Sequence, residues 1–227
     1  MKVLVLNGSP KKISDTMCLT TAFLDGLNDR NVHEIEIVNV IEKKIAPCHG
    51  CFGCWAKGDG QCVINDDQNA ILRKIIETDL IVISFPLYCY GLPSHLKAVI
   101  DRLIPLVQMK MKEENGVVRH LSSFDFSRLK TVMISGCGFP NSEGNFDAAK
   151  LIVSKCFPNL TSVCVPETPL MNIAEAAPVS EPKRALFRKA GTEYDLTGTL
   201  SSETVEALES LMIPNDEYIR RVNGGSR

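Results

Sequence analysis

The feature that most constrains this chain is a recurrence of short apolar runs: Val3 to Leu6, Leu80 to Ser84, Thr131 to Ser135 and Ser162 to Val165. Continuous apolar runs of this length suit strands buried on both faces. Segments with helical spacing lie between them. Leu19, Ala22, Phe23 and Leu27 form one such stripe, and Ile71, Leu72, Ile75 and Ile76 form another after Asp66-Asp67. Those two carboxylates predict an N-cap and a favourable charge at the start of a helix reaching Glu77. Leu96, Val99, Ile100 and Leu103 predict a helix over 94–106, and Phe146 to Phe157 another. His33 to Val40 alternates as an outer strand would. Five strands alternating with helices predict an α/β fold, a doubly wound parallel sheet with right-handed crossovers and ligands at the strands' carboxyl ends.

Two segments fall outside that repeat. Asn115-Gly116 predicts a tight turn joining two short strands. From Thr168 onward the chain is Pro-rich, then basic at Lys183, Arg184, Arg188 and Lys189, with a short helix expected over 202–212 and a Gly-Gly-Ser tail. The expected organisation is therefore a ligand-binding domain over 1–167 and a C-terminal extension over 168–227 that packs on the core or on a partner subunit. Both additions exceed what one core needs, which leads to an expected homodimer or tetramer. A length of 227 residues fits one large domain. The formal net charge of −2 lacks the basic excess of a nucleic-acid binder, so no nucleic-acid partner is expected. No stretch is long and apolar enough to suggest a membrane span, and the N-terminal run is too short for a signal-peptide core. The expected location is the cytoplasm.

The first strand runs into Asn7-Gly-Ser-Pro-Lys-Lys-Ile-Ser-Asp-Thr16. At a strand-to-helix turn, backbone N–H groups and the helix dipole hold phosphate, with Ser9, Ser14 and Thr16 adding hydroxyls and Lys11 a charge. The loop is neither a Gly-x-Gly-x-x-Gly fingerprint nor a Walker loop, and it suits a terminal phosphomonoester better than a pyrophosphate. Read alone, it is equally a polar turn with a helix cap.

Leu6 to Thr16 resembles the Gly-Ser-Pro-Arg-x-x-Ser-Asn-Thr loop of the NADPH-dependent FMN reductase family, within the flavodoxin-like superfamily and related to the iron–sulfur flavoproteins. Phe85-Pro-Leu-Tyr-Cys-Tyr-Gly-Leu-Pro93 resembles its Pro-Leu-Tyr-Trp-Gly segment. Leu96-Lys-Ala-Val-Ile-Asp-Arg102 resembles its Leu-Lys-x-x-Ile-Asp-Arg helix. Asp15 stands where the family has Asn, and Cys89 where an aromatic residue is common. The resemblance implies a flavodoxin-like five-stranded parallel sheet with helices on both faces, one bound FMN, and NAD(P)H as co-substrate. Its phosphate falls to Ser9, Lys11, Ser14 and Thr16. Pro86, Leu87, Tyr88, Cys89, Tyr90 and Gly91 wall the flavin ring, and Ser135, Gly136 and Gly138 of a third loop flank it.

The implied activity is FMN-dependent NAD(P)H oxidation with a flavin, quinone or similar small-molecule acceptor, in ping-pong order. With no second nucleotide loop, NAD(P)H has to stack on the open ring face. No side chain is assigned an acid–base role: His33, His49, His95 and His120 are scattered.

Four of nine cysteines, Cys48, Cys51, Cys54 and Cys62, fall within fifteen residues. Three close thiolates and a fourth can wrap a [4Fe–4S] cube, and the spacing resembles that of iron–sulfur flavoproteins. Zinc with four thiolates and redox-active or free thiols are the alternatives. The reading adopted is a flavin enzyme whose cysteine loop carries no compulsory metal. The alternative is an iron–sulfur flavoprotein electron carrier.

Overall fold

The structure, a computed structural model, describes residues 1–224; most of the Gly-Gly-Ser tail lies outside the described residues. In chain order come β1 (Lys2–Asn7), α1 (Asp15–Leu27), β2 (Glu34–Asn39), α2 (Gly53–Lys57), α3 (Gln68–Glu77), β3 (Leu80–Pro86) and α4 (Ser94–Asp101). They are followed by β4 (Val107–Glu114), β5 (Val117–Ser122), β6 (Lys130–Gly136), α5 (Asp147–Cys156), β7 (Leu160–Val165), α6 (Ala177–Thr197), α7 (Ser202–Glu209) and α8 (Asn215–Gly224).

Five strands form one parallel sheet in the order β2-β1-β3-β6-β7. With the β4–β5 ribbon set aside, this is the flavodoxin-like doubly wound order, α/β as the apolar runs predict. Strand alternation divides the core in two. Leu4, Leu6, Ile81, Ile83 and Met133 pack with α3, α4 and α5, whereas Val3, Val5, Val82, Val132 and Ile134 pack with α1 and α6. Both faces are covered, which is why these strands carry no polar alternation.

The helix expected over 94–106 stops at Asp101. Pro105 has no N–H to continue the helical ladder, and Ile104–Leu106 instead forms a tighter 3₁₀ turn. The Asn115-Gly116 turn is present: both residues have positive φ (52° and 75°), and β4 and β5 pair antiparallel across it.

The segment after residue 167 is more helical than its prolines suggest. It contains the 21-residue α6, whose Phe187, Ala190 and Tyr194 belong to the same cluster as Leu19 and Phe23 of α1. Pro178 sits in the first turn, where its missing N–H costs nothing, and Pro182 lies inside the helix. Two glycines let α1 and α6 touch. A Cβ on Gly26 would lie 1.8 Å from Arg188 O, and one on Gly191 would lie 1.9 Å from Phe23 O.

Candidate active site

At the carboxyl edge of the sheet, the loops after β1, β3 and β6 and the segment after β7 enclose a cleft of about 160 Å³. Of the residues expected to hold a cofactor, Ser9, Lys11, Ser14, Thr16, Pro86, Leu87, Tyr88, Gly136 and Gly138 line it. They are joined by Asp15, Cys137, Thr168 and Pro169.

The first loop is held from within. Asn7 Oδ1 accepts from Ser9 N at 2.9 Å, and Ser9 Oγ accepts from Lys11 N at 3.3 Å. Ser14 caps α1, its Oγ accepting from Met17 N at 3.1 Å. His95, at the start of α4, donates its Nε2–H to Gly8 O at 2.9 Å and so ties the loop to the helix behind it. The sequence left that histidine without a role, because nothing local links residue 95 to residue 8. Thr16 is the residue without an internal partner: it is 1% exposed, and its Oγ1 makes no hydrogen bond. A buried hydroxyl left unpaired costs about 1–3 kcal/mol, which a ligand oxygen would relieve. Together with the first-turn N–H groups of α1, this donor set fits a phosphate.

Asp15, which stands where the family pattern has Asn, puts a carboxylate on the wall of the cleft. Its Oδ2 accepts from Lys11 Nζ at 3.0 Å and its Oδ1 from Asn172 Nδ2 at 2.6 Å. The Lys11 ammonium is thus engaged with Asp15, and the segment after β7 is tied to the loop.

On the opposite wall, Tyr88 and Gly91 exchange two backbone hydrogen bonds around Cys89 and Tyr90, both with positive φ (46° and 62°). Non-glycine residues in this conformation store strain of about 1–3 kcal/mol each, a cost concentrated at functional sites. Cys89, Tyr90 and Gly91 lie in that rim turn and do not line the cleft, although Tyr90 stacks on Phe139 of the third loop at 5.9 Å and 14°. Ser135 is also outside the cleft: it is buried within β6, and its Oγ has no partner. Gly136 meets a packing need as well, since a Cβ there would lie 2.5 Å from Thr168 Cγ2. On the cleft wall, burial raises the Cys137 thiol, with the Glu167 charge adding to it. Burial also raises the Glu167 carboxyl, partly offset by N–H donation from Met212 and Ile213. Thr168 and Pro169 were missed by sequence reasoning; their signal was their position just past the last core strand.

The cysteine loop is a second constellation. Cys48, Cys51, Cys54 and Cys62 line one small apolar pocket, floored by Arg102 and Pro105. Among the described residues, no three His, Cys, Asp or Glu side chains converge in metal-ligating geometry. Burial raises the Cys54 thiol. Arg102, the largest fully buried side chain, clasps the loop's two ends, donating to Ala46 O at 3.0 Å and to Asp66 Oδ1 at 2.9 Å and Oδ2 at 2.5 Å.

Comparison with known proteins bears on both constellations. The profile described as NADPH-dependent FMN reductase matches residues 1–118. An iron–sulfur flavoprotein of Methanocaldococcus jannaschii is 36% identical over 106 residues, 47% of this chain and 53% of that protein. One from Methanosarcina thermophila is 31% identical over 122 residues, 54% of this chain and 62% of that one. The chain spans about half the length of the first curated relatives it matches. Among solved structures, an FMN-dependent NADH-azoreductase from Bacillus anthracis superposes with a TM-score of 0.60 at 17% identity, over 86% of this chain and 99% of that one. An NAD(P)H:quinone oxidoreductase from Methanothermobacter marburgensis gives 0.62 at 15%, over 85% and 95%. At those identities the likeness concerns the fold.

Proposed function

Because the chain belongs to the NADPH-dependent FMN reductase family, we propose that it is an FMN-dependent NAD(P)H oxidoreductase acting on a flavin, quinone or similar planar acceptor. The observation that carries this reading is the buried, unpartnered Thr16 Oγ1 in a cleft built by successive carboxyl-edge loops. When bound, FMN supplies the redox chemistry by accepting hydride and returning one or two electrons. The chain's part is to hold and orient it. Ser9, Thr16 and the first N–H groups of α1 take the phosphate, with Ser14 fixing the helix start. Leu87 and Tyr88 wall the ring. Tyr88 is 45% exposed at the rim, which leaves one side open. Nicotinamide and acceptor use that side in turn, which is ping-pong order. The test is anaerobic stopped-flow of the FMN-loaded protein: NADH or NADPH bleaches the flavin, and bleaching by dithionite alone sinks the proposal.

The same reading includes self-association into a dimer or tetramer. The β4–β5 ribbon supports it, because Met109, Met111 and Val118 are exposed on a two-stranded unit that is marginal alone. Sedimentation at working concentration tests it. Among the described residues no helix is long and apolar enough to cross a membrane.

A second reading, an electron-transfer iron–sulfur flavoprotein, is supported by all four clustered cysteines lining a single pocket whose loop ends are clasped by Arg102, although among the described residues no three of them converge in metal-ligating geometry. Stoichiometric iron and acid-labile sulfide in anaerobically purified protein, lost together in Cys51→Ser, would replace the first reading with this one.

A further inference from the structure

A further cavity, of about 610 Å³, opens at the opposite end of the sheet from the cleft. It lies beside the amino ends of β6 and β7, between the base of the β4–β5 ribbon and the last turn of α5. Its size falls in the range of small-molecule sites, about 300–1,000 Å³. Ile75, Leu106, Phe126, Leu129, Phe157 and Leu160 make its wall apolar. Its charged lining is of one sign, Arg119 from the ribbon and Lys155 from α5, with no carboxylate among the lining residues. Among the described residues, neither cation forms an ion pair. Glu114, the carboxylate that Arg119's charge reaches, is paired with Lys112, which lies across the ribbon from Arg119, and the carboxylate of Asp101, whose charge reaches Cys156, is taken by Lys97.

We propose that this cavity binds an amphipathic organic monoanion, its apolar body against Leu129, Phe126 and Phe157 and its carboxylate between Arg119 and Lys155. The site is separate from the flavin cleft and does not depend on the proposed oxidoreductase activity. Apolar area taken from water contributes affinity at about 25 cal/mol per Å², and the two cations select the sign of the head group. The competing occupant is a second copy of this chain, since the ribbon forms one wall.

Cys156 lines the cavity and reports on it directly. In full-length FMN-loaded protein, iodoacetamide labelling of Cys156 is followed by peptide mass mapping with decanoate or decanol present. Decanoate is expected to slow labelling about tenfold at saturation, decanol far less, and the double variant Arg119→Glu, Lys155→Glu to abolish the difference. Three results overturn the proposal: equal protection by decanol, no protection at millimolar decanoate, or Cys156 already protected in proportion to a concentration-dependent dimer. The charge reversals lie on exposed positions, and circular dichroism of the variant verifies its fold.

Discussion

Lys11 Nζ and Asp15 Oδ2 meet at 3.0 Å across one turn at the mouth of the cleft. The pair sits where a phosphate would need its cation. Asp15 therefore both neutralises Lys11 and adds a negative charge beside the ligand. Asp15→Asn, the residue the family pattern has at this place, is expected to tighten FMN binding about three- to tenfold, most at low salt. Fluorescence titration of apoprotein with FMN measures it; unchanged affinity at low ionic strength would contradict the assignment of the phosphate to this loop.

Thr16→Val keeps the shape of a fully buried side chain and removes its unpartnered hydroxyl. Without ligand the variant should be as stable as the parent or slightly more so, because a desolvated orphan is gone. FMN binding should weaken about tenfold. A loss of apoprotein stability would show that the hydroxyl has a structural partner instead.

The α1–α6 crossing leaves no room for a methyl group. Gly26→Ala and Gly191→Ala each force backbone apart, with Cβ contacts of 1.8 and 1.9 Å to carbonyl oxygens. Each should cost about 3 kcal/mol in urea unfolding. A cost below about 1 kcal/mol would mean that α6 shifts freely on α1.

Arg102 and Asp66 form a pair almost closed to water. Burial alone would raise the Asp66 carboxyl, but bonds from Arg102, Ala46 N and Gln68 N overcome it and hold the folded value low. A depressed carboxylate contributes stability that is present above its unfolded value near 3.9 and lost as pH falls through the folded one. Asp66→Asn should lose about 3 kcal/mol at pH 7, and the gap to the parent should narrow below pH 4. Protease sensitivity within 46–66 should rise with it, since Arg102 then closes the loop with carbonyl bonds alone.

Burial pushes the Tyr194 and Tyr218 phenols up to about 12, and the Cys164 thiol to about 12. Each stays protonated in the fold while the unfolded chain ionises, so stability falls as pH rises past about 9. Lys183 acts in the opposite sense: burial lowers it to about 8, so the unfolded chain holds the extra proton between about 8 and 10.5, and stability gains there. Tyr194→Phe should leave stability nearly unchanged at pH 7 and flatten the alkaline decline. Parallel decline in both proteins would mean that the phenol reaches water.

Much of the fold was legible because the core strands are short, continuous and apolar, a pattern that admits few alternatives. The Asn115-Gly116 ribbon was legible for a related reason, since both residues tolerate positive φ. The hydroxyl-rich turn into α1 was legible by its place after the first strand, with Ser14 as its cap. Helix α6 was not: Pro178, Pro182 and a basic run obscure its stripe, and only packing against α1 through Gly191 fixes it. The 94–106 helix was overextended because the apolar period continues past Asp101 while Pro105 forbids the backbone.

The strands, their burial, the hydroxyl-rich turn and the clustering of four cysteines can thus be read from the chain alone, because these depend on neighbours along it. Tertiary structure alone decided what is near what. It set His95 on Gly8 O, Asn172 on Asp15, Arg102 across the ends of the cysteine loop, and Thr168 beside Gly136. These pairs are separated by tens of residues or more, and only sheet order and helix crossing bring them into contact. Local propensity carries no information about either.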